Sequence, residues 1–146
     1  MLPEIEKKLK LARSFDEAGK NDESRMCLLG LLKEDPNNHA ALLMLGGSYF
    51  VEEKYSESEM VFERLILMEP GEGRFSIALF NTLWKAGRTE EALEEIWRFM
   101  LNADRAKEKA TIDQYMKITN LIAEDLDQDN RSKDDLNQNR QKELVC

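Results

Sequence analysis

The stretch His39–Glu72, HAALLMLGGSYFVEEKYSESEMVFERLILMEPGE, decides how the chain folds. Its first half carries Leu42, Leu45, Tyr49 and Phe50 at helical spacing, and Gly46-Gly47 lets a second helix approach the backbone closely. A break at Glu53-Lys54 leads into a second apolar stripe of Tyr55, Phe62, Leu65 and Ile66, which ends at Met68-Glu69-Pro70-Gly71. The spacing predicts a helical hairpin whose Pro-Gly end stops the second helix and sends the chain into another unit.

Sliding the sequence by 34 residues reproduces this unit on both sides without a gap. Backward, Pro70 falls on Pro36, Tyr49 on Phe15, Leu45 on Leu11, Gly46 on Ala12, Phe62 on Leu28 and Leu65 on Leu31. Forward, Leu45 falls on Leu79, Tyr49 on Leu83, Ser58 on Ala92, Phe62 on Ile96 and Leu65 on Phe99. Three hairpins are about the minimum at which stacking buries a continuous core.

A 34-residue period of paired helices resembles the tetratricopeptide repeat (TPR) family. The matching residues are Leu42, Leu45, Gly46, Tyr49, Ser58, Phe62, Leu65 and Pro70 in the middle copy, and Leu79, Leu83, Gly87, Ala92, Ile96 and Phe99 in the third. Lys8, Leu42 and Ser76 stand where the family favours Trp, and Phe80 replaces its small residue. The resemblance implies an all-α solenoid, a right-handed superhelix of three TPR hairpins at residues 5–38, 39–72 and 73–106.

In the first repeat the expected helices run from Pro3 to Ala18 and from Asp22, a fair N-cap, to Glu34, with Gly19-Lys20-Asn21 between them. In the second, Ser56 and Glu59 fit a capping box. In the third, Ala86-Gly87-Arg88 is the turn, and Thr89-Glu90-Glu91 starts the last repeat helix. After Ala103 the period fails. Ala110, Ile112, Tyr115, Met116, Thr119 and Ile122 still mark an amphipathic helix over 104–126, expected as a C-terminal cap. From Asp127 to Cys146 the chain is almost wholly polar, and a disordered acidic and polar tail is expected. The domain is thus read as residues 1–126, with 127–146 as the tail.

Composition narrows the function. The chain has 146 residues and a net charge of −8 spread along its length, which argues against a nucleic-acid partner or an anionic membrane surface. No segment approaches the apolar run needed to span a membrane, and MLPEIEKKLK lacks the apolar core of a signal peptide, so a cytoplasmic location is expected. Cys27 lies in an apolar run as a core thiol and Cys146 ends the chain, which makes neither a disulfide framework nor a metal site.

Catalytic chemistry finds little support. The single histidine, His39, stands beside Asn37 and Asn38 at a helix start with no nucleophile or paired acid at a matching spacing. Glu90-Glu91 and Glu94-Glu95 read as solvent faces. Asp125, Asp127 and Asp129 lack the glycine and closing glutamate of a calcium loop, and Arg131 interrupts them. The expectation is a non-enzyme with no cofactor.

TPR arrays bind peptides or partner helices in a concave groove lined by the first helix of each repeat, and the resemblance carries that groove onto definite positions. They are Leu9 and Arg13 in the first repeat; Leu43, Gly47, Phe50 and Val51 in the second; Arg74, Ile77, Asn81, Trp84 and Lys85 in the third. The family's carboxylate clamp for acidic C-terminal peptides is not matched: Leu9 stands for its first lysine, Arg13 and Met44 for its asparagines and Ala78 for its arginine, leaving only Arg74 with the right charge. An apolar floor suits an extended or helical segment of another protein with aliphatic anchors. A small adaptor or chaperone is therefore expected. The three-repeat acidic layout is also similar to the chaperones of type III secretion translocators, in architecture rather than motif. The alternative is an assembly subunit that self-associates into a homo-oligomer through the groove or the capping helix.

Overall fold

The computed structural model describes residues 2–145. Among them are seven helices and no strand: α1 (Leu2–Glu17), α2 (Asn21–Glu34), α3 (His39–Val51), α4 (Tyr55–Met68), α5 (Gly73–Lys85), α6 (Thr89–Asn102) and α7 (Lys109–Val145). Residues up to Glu108 form one compact unit, and those from Lys109 onward form another.

Within the first unit the helices pair as α1 with α2, α3 with α4 and α5 with α6, and each hairpin packs on the next through α2 with α3 and α4 with α5. The first helices also touch in sequence, α1 with α3 and α3 with α5. This is the α-solenoid that the resemblance implies, built from the three hairpins of the 34-residue period, with one face formed by first helices.

The 34-residue period is written into the hydrogen bonds as well. Ser24 Oγ donates to the Ala12 carbonyl at 2.9 Å and Ser58 Oγ to the Gly46 carbonyl at 2.8 Å, equivalent contacts that fasten each second helix to its first. Arg64 donates to the Pro36 carbonyl and Arg98 to the Pro70 carbonyl, both at 2.8 Å, so an arginine ties the second helix to the connection entering its repeat. Each hairpin turn closes alike. The amides of Lys20, Lys54 and Arg88 donate to the carbonyls of Phe15, Tyr49 and Leu83, and the residue before each amide has positive φ. That residue is Gly19, Glu53 and Gly87 in turn. Only at Glu53 does a side chain occupy the left-handed region, which costs on the order of 1–2 kcal/mol for an L-residue.

Burial follows the repeated stripe except at Leu11, which was expected in the stripe but is 49% exposed on α1 of the first hairpin, where no preceding repeat covers it. Leu28, Leu31, Leu65, Phe75, Ile96 and Phe99 are fully or almost fully covered. Gly46 is required for space: a Cβ there would lie 2.3 Å from the Phe62 ring. At the equivalent place in the third repeat stands Phe80, which is buried and stacks on Trp84 with ring centroids 5.7 Å apart. The third hairpin accommodates it opposite Ile96 rather than a phenylalanine.

Several local expectations are corrected. The Ser56–Glu59 capping box does not form, because α4 starts two residues earlier with Lys54 at its N-cap and Glu59 is taken by Arg88 of the next turn. Asp22 is not the N-cap of α2; Lys20 holds that place, and Asp22 accepts from Arg25 at 2.6 Å. The helix expected from residue 104 begins at Lys109, since the Asp104 carboxylate captures the amides of Ala106 and Lys107 in a local turn. The expected disorder of residues 127–146 is not what the structure shows: α7 runs on to Val145 as an exposed helix. No Gly or Pro follows Gly87 to stop it, and Asp127 pairs with Arg131 one turn on at 3.2 Å. Cys146 lies outside the described residues.

Candidate functional site

The positions that the resemblance assigns to a groove lie on α1, α3 and α5, and these helices touch in sequence, α1 with α3 and α3 with α5. Their exposure divides them. Val51 is 71% exposed and Trp84 43%, while Leu43, Gly47, Phe50 and Ile77 are half-buried. Arg13, Asn81 and Lys85 are exposed. Leu9 packs against the core around Ala12 and Leu28, so much of it serves the hairpin itself. Phe50 meets the Tyr55 ring edge-on, with centroids 5.7 Å apart, across the turn between α3 and α4. Arg74 hydrogen-bonds Glu72 and lies over the Phe75 ring at 5.6 Å, and the Glu72 contact raises the guanidinium's already high pKa.

Charged pairs pin the joints behind this face. Arg25 of α2 reaches Ser48 Oγ at 3.1 Å and Glu52 at 3.0 Å, and lies over the Tyr49 ring at 5.3 Å. Its hydrogen bond, partly opposed by burial, holds the Glu52 carboxyl below the usual range. One repeat later the polarity is reversed: Glu59 of α4 takes Arg88, which also binds Glu91. His39 sits at a joint too, edge-on to Phe75 with centroids 5.6 Å apart, in a packing role.

A second concavity went unread in the sequence. α5 supplies its floor through Leu79 and Leu83; α4 and α6 form the walls, with Glu59, Glu63, Ile66 and Leu67 on one side and Glu91, Glu94, Glu95 and Arg98 on the other. The cleft holds about 450 Å³. Glu95 overturns the solvent-face reading: it is only 4% exposed, accepts from Ser76 Oγ, and is forked by Arg98, one arm at 2.8 Å. The signal was available, for the 34-residue slide puts Glu95 on Val61 and Cys27, both packed against the core. A carboxylate in an apolar register needs a partner, and Ser76, standing where Leu42 stands, is half of it.

Among the described residues no group of three or more His, Cys, Asp and Glu could hold a metal ion, and no helix is long and apolar enough to cross a membrane.

The fold is that of the tetratricopeptide-repeat proteins, an α-solenoid of stacked helical hairpins. No protein-family model and no curated protein matches the chain. Among solved structures, it is similar to the Yersinia enterocolitica type III secretion translocator chaperone SycD, at 18% identity and TM-score 0.69 over 84% of this chain and 90% of that one. An alternative dimer of SycD gives 21% identity and TM-score 0.66 over 82% and 94%. The second TPR of Spaghetti (RPAP3), bound to the HSP90 peptide SRMEEVD, is similar at 17% identity and TM-score 0.60 over 67% and 91%.

Proposed function

We propose that the protein is a cytoplasmic adaptor or chaperone that holds an apolar peptide or amphipathic helix of another protein in the groove of α1, α3 and α5. Its work is binding rather than catalysis. The observation that carries this reading is the exposure of Val51 and Trp84 on adjacent first helices, large apolar side chains in positions that hairpin stacking does not use. Leu43 and Phe50 on α3 and Ile77 on α5 are half-buried and add apolar surface to the same two helices. The likeness to a translocator chaperone and to a peptide-bound TPR supports a protein ligand. An acidic C-terminal peptide is a poor candidate here, because Leu9, Met44 and Ala78 replace three of the clamp's polar residues and Arg74 is engaged by Glu72.

The test is affinity capture from the native cell with identification of the bound protein, repeated with Val51→Glu/Trp84→Ser. Interface anchors of this size typically contribute more than ~2 kcal/mol, so the double variant should bind roughly thirtyfold more weakly with its helicity intact. A folded variant that binds at full affinity places recognition elsewhere. A concentration-dependent mass without any heterologous partner supports self-association instead.

A further inference from the structure

The cleft walled by α4 and α6 has no part in the groove reading, yet it combines two features seldom left open together. Its floor is apolar, with Leu79 and Leu83 more than nine-tenths buried, as is Ile66 in the wall, and Leu67 stands 83% exposed on its edge. Its lining is acidic: Glu59, Glu63, Glu91 and Glu94 stand at the rim and Glu95 is buried in the wall, with two guanidiniums, Arg88 and Arg98, against them. Arg88 is shared by Glu59 and Glu91 and Arg98 is spent on Glu95, so the rim keeps a surplus of three negative charges.

The surplus has a cost in the free protein. Burial, and then the neighbouring Glu59 carboxylate, push the Glu63 carboxyl above the usual carboxylate range. A cation placed between the walls would relieve that repulsion, whereas an anionic or purely apolar occupant would not. At about 450 Å³ the cleft lies in the size range of ligand pockets, roughly 300–1,000 Å³, enough for a few side chains of a larger partner.

We propose that this cleft is a second docking site, for a cationic amphipathic helix of a partner protein: lysines or arginines meet the rim carboxylates while aliphatic side chains cover Leu67 and enter above Leu79 and Leu83. Charge complementarity selects the occupant, and the exposed Leu67 supplies the apolar contact that a small inorganic cation could not use. The site lies on α4, α5 and α6 and stands independently of the proposed groove.

The probe is a short fluorescein-labelled amphipathic peptide of leucine and lysine, titrated against the full chain by anisotropy. A leucine and glutamate peptide of the same pattern is the control. Glu63→Gln/Glu94→Gln is expected to weaken lysine-peptide binding at least about tenfold, and exposed Leu67→Ser to weaken it further. Removing two charges elsewhere, in Glu4→Gln/Glu23→Gln, should change it by less than about twofold, as should the groove variant Val51→Ser/Trp84→Ser. The proposal would be overturned by cleft variants that bind like the parent; by equal binding of the glutamate peptide; by loss confined to the groove variant; or by a weakening by Glu4→Gln/Glu23→Gln as large as that by the cleft variant, which would mean only a diffuse acidic surface. Self-association that disappears in Glu63→Gln/Glu94→Gln would make the occupant a second copy, and this too would overturn the assignment to a partner helix.

Discussion

In the second hairpin the register positions Leu42 and Val61 are apolar; in the third the same two positions hold Ser76 and Glu95. The backbone hardly distinguishes them. Both hairpins use the same turn hydrogen bond, the same arginine on the preceding proline carbonyl and the same buried stripe. What differs is how the space between the helices is filled. In the second hairpin the Phe62 ring lies against a bare Gly46, and in the third the same register pair is a buried Phe80 and a buried Ile96. The polar pair is tolerated because Arg98, which in the second hairpin has the exposed counterpart Arg64, folds back onto Glu95. A repeat register therefore fixes where side chains go and leaves open which chemistry satisfies them, provided that substitutions compensate in pairs.

The sharpest way to break this comparison is at the two arginines. Arg98→Ala leaves the Glu95 carboxylate buried with Ser76 alone and should cost about 3 kcal/mol in denaturant unfolding, since removing one partner strands a buried charge. Arg64→Ala, at the equivalent site, removes only exposed hydrogen bonds and should cost no more than ~1 kcal/mol. Ser76→Leu/Glu95→Val, which writes the second hairpin's chemistry into the third, should be neutral or stabilising. Equal losses at the two arginines would mean that Glu95 is not an internal charge.

A smaller effect is expected at the helix crossing. Gly46→Ala forces a methyl to 2.3 Å from a Phe62 ring that is itself buried, and overpacking of this kind should cost ~1–3 kcal/mol. Combining it with Phe62→Ile, the residue that stands opposite Phe80, should recover part of the loss in a double-mutant cycle. Additivity in that cycle would show that the two sites do not share the space.

The smallest effects lie in the turns and have opposite signs. Glu53→Gly relieves a side chain at φ 60° and should raise stability by up to ~1 kcal/mol, even though glycine also loosens the unfolded chain. Gly87→Ala puts a side chain into the same strained region, at φ 80°, and should lower the melting temperature. The same sign for both would mean that the turns are not equivalent.

Some of this was legible because it is local and repeated. The order and pairing of the repeat helices, the turns at Gly19 and Gly87 and most of the buried stripe follow from patterns within 34 residues, where each copy checks the others. The positions proposed for a groove could be assigned to first helices from the sequence, but their exposure could not. That Leu9 is packed, that Phe50 leans on Tyr55 and that Arg74 is taken by Glu72 depend on rotamers and neighbours that a register does not contain. Past Ala103 there was no second copy to compare, and composition alone suggested disorder where the structure continues α7.

By itself, then, the sequence determined that the chain is three stacked helical hairpins, because apolar spacing and turn residues act over short range and recur. Only the tertiary structure decided that Glu95 is an internal charge and that α4, α5 and α6 enclose an acidic cleft over leucines. Burial and electrostatic environment are set by atoms from other helices, and a carboxylate reads the same in sequence whether water or Ser76 and Arg98 surround it.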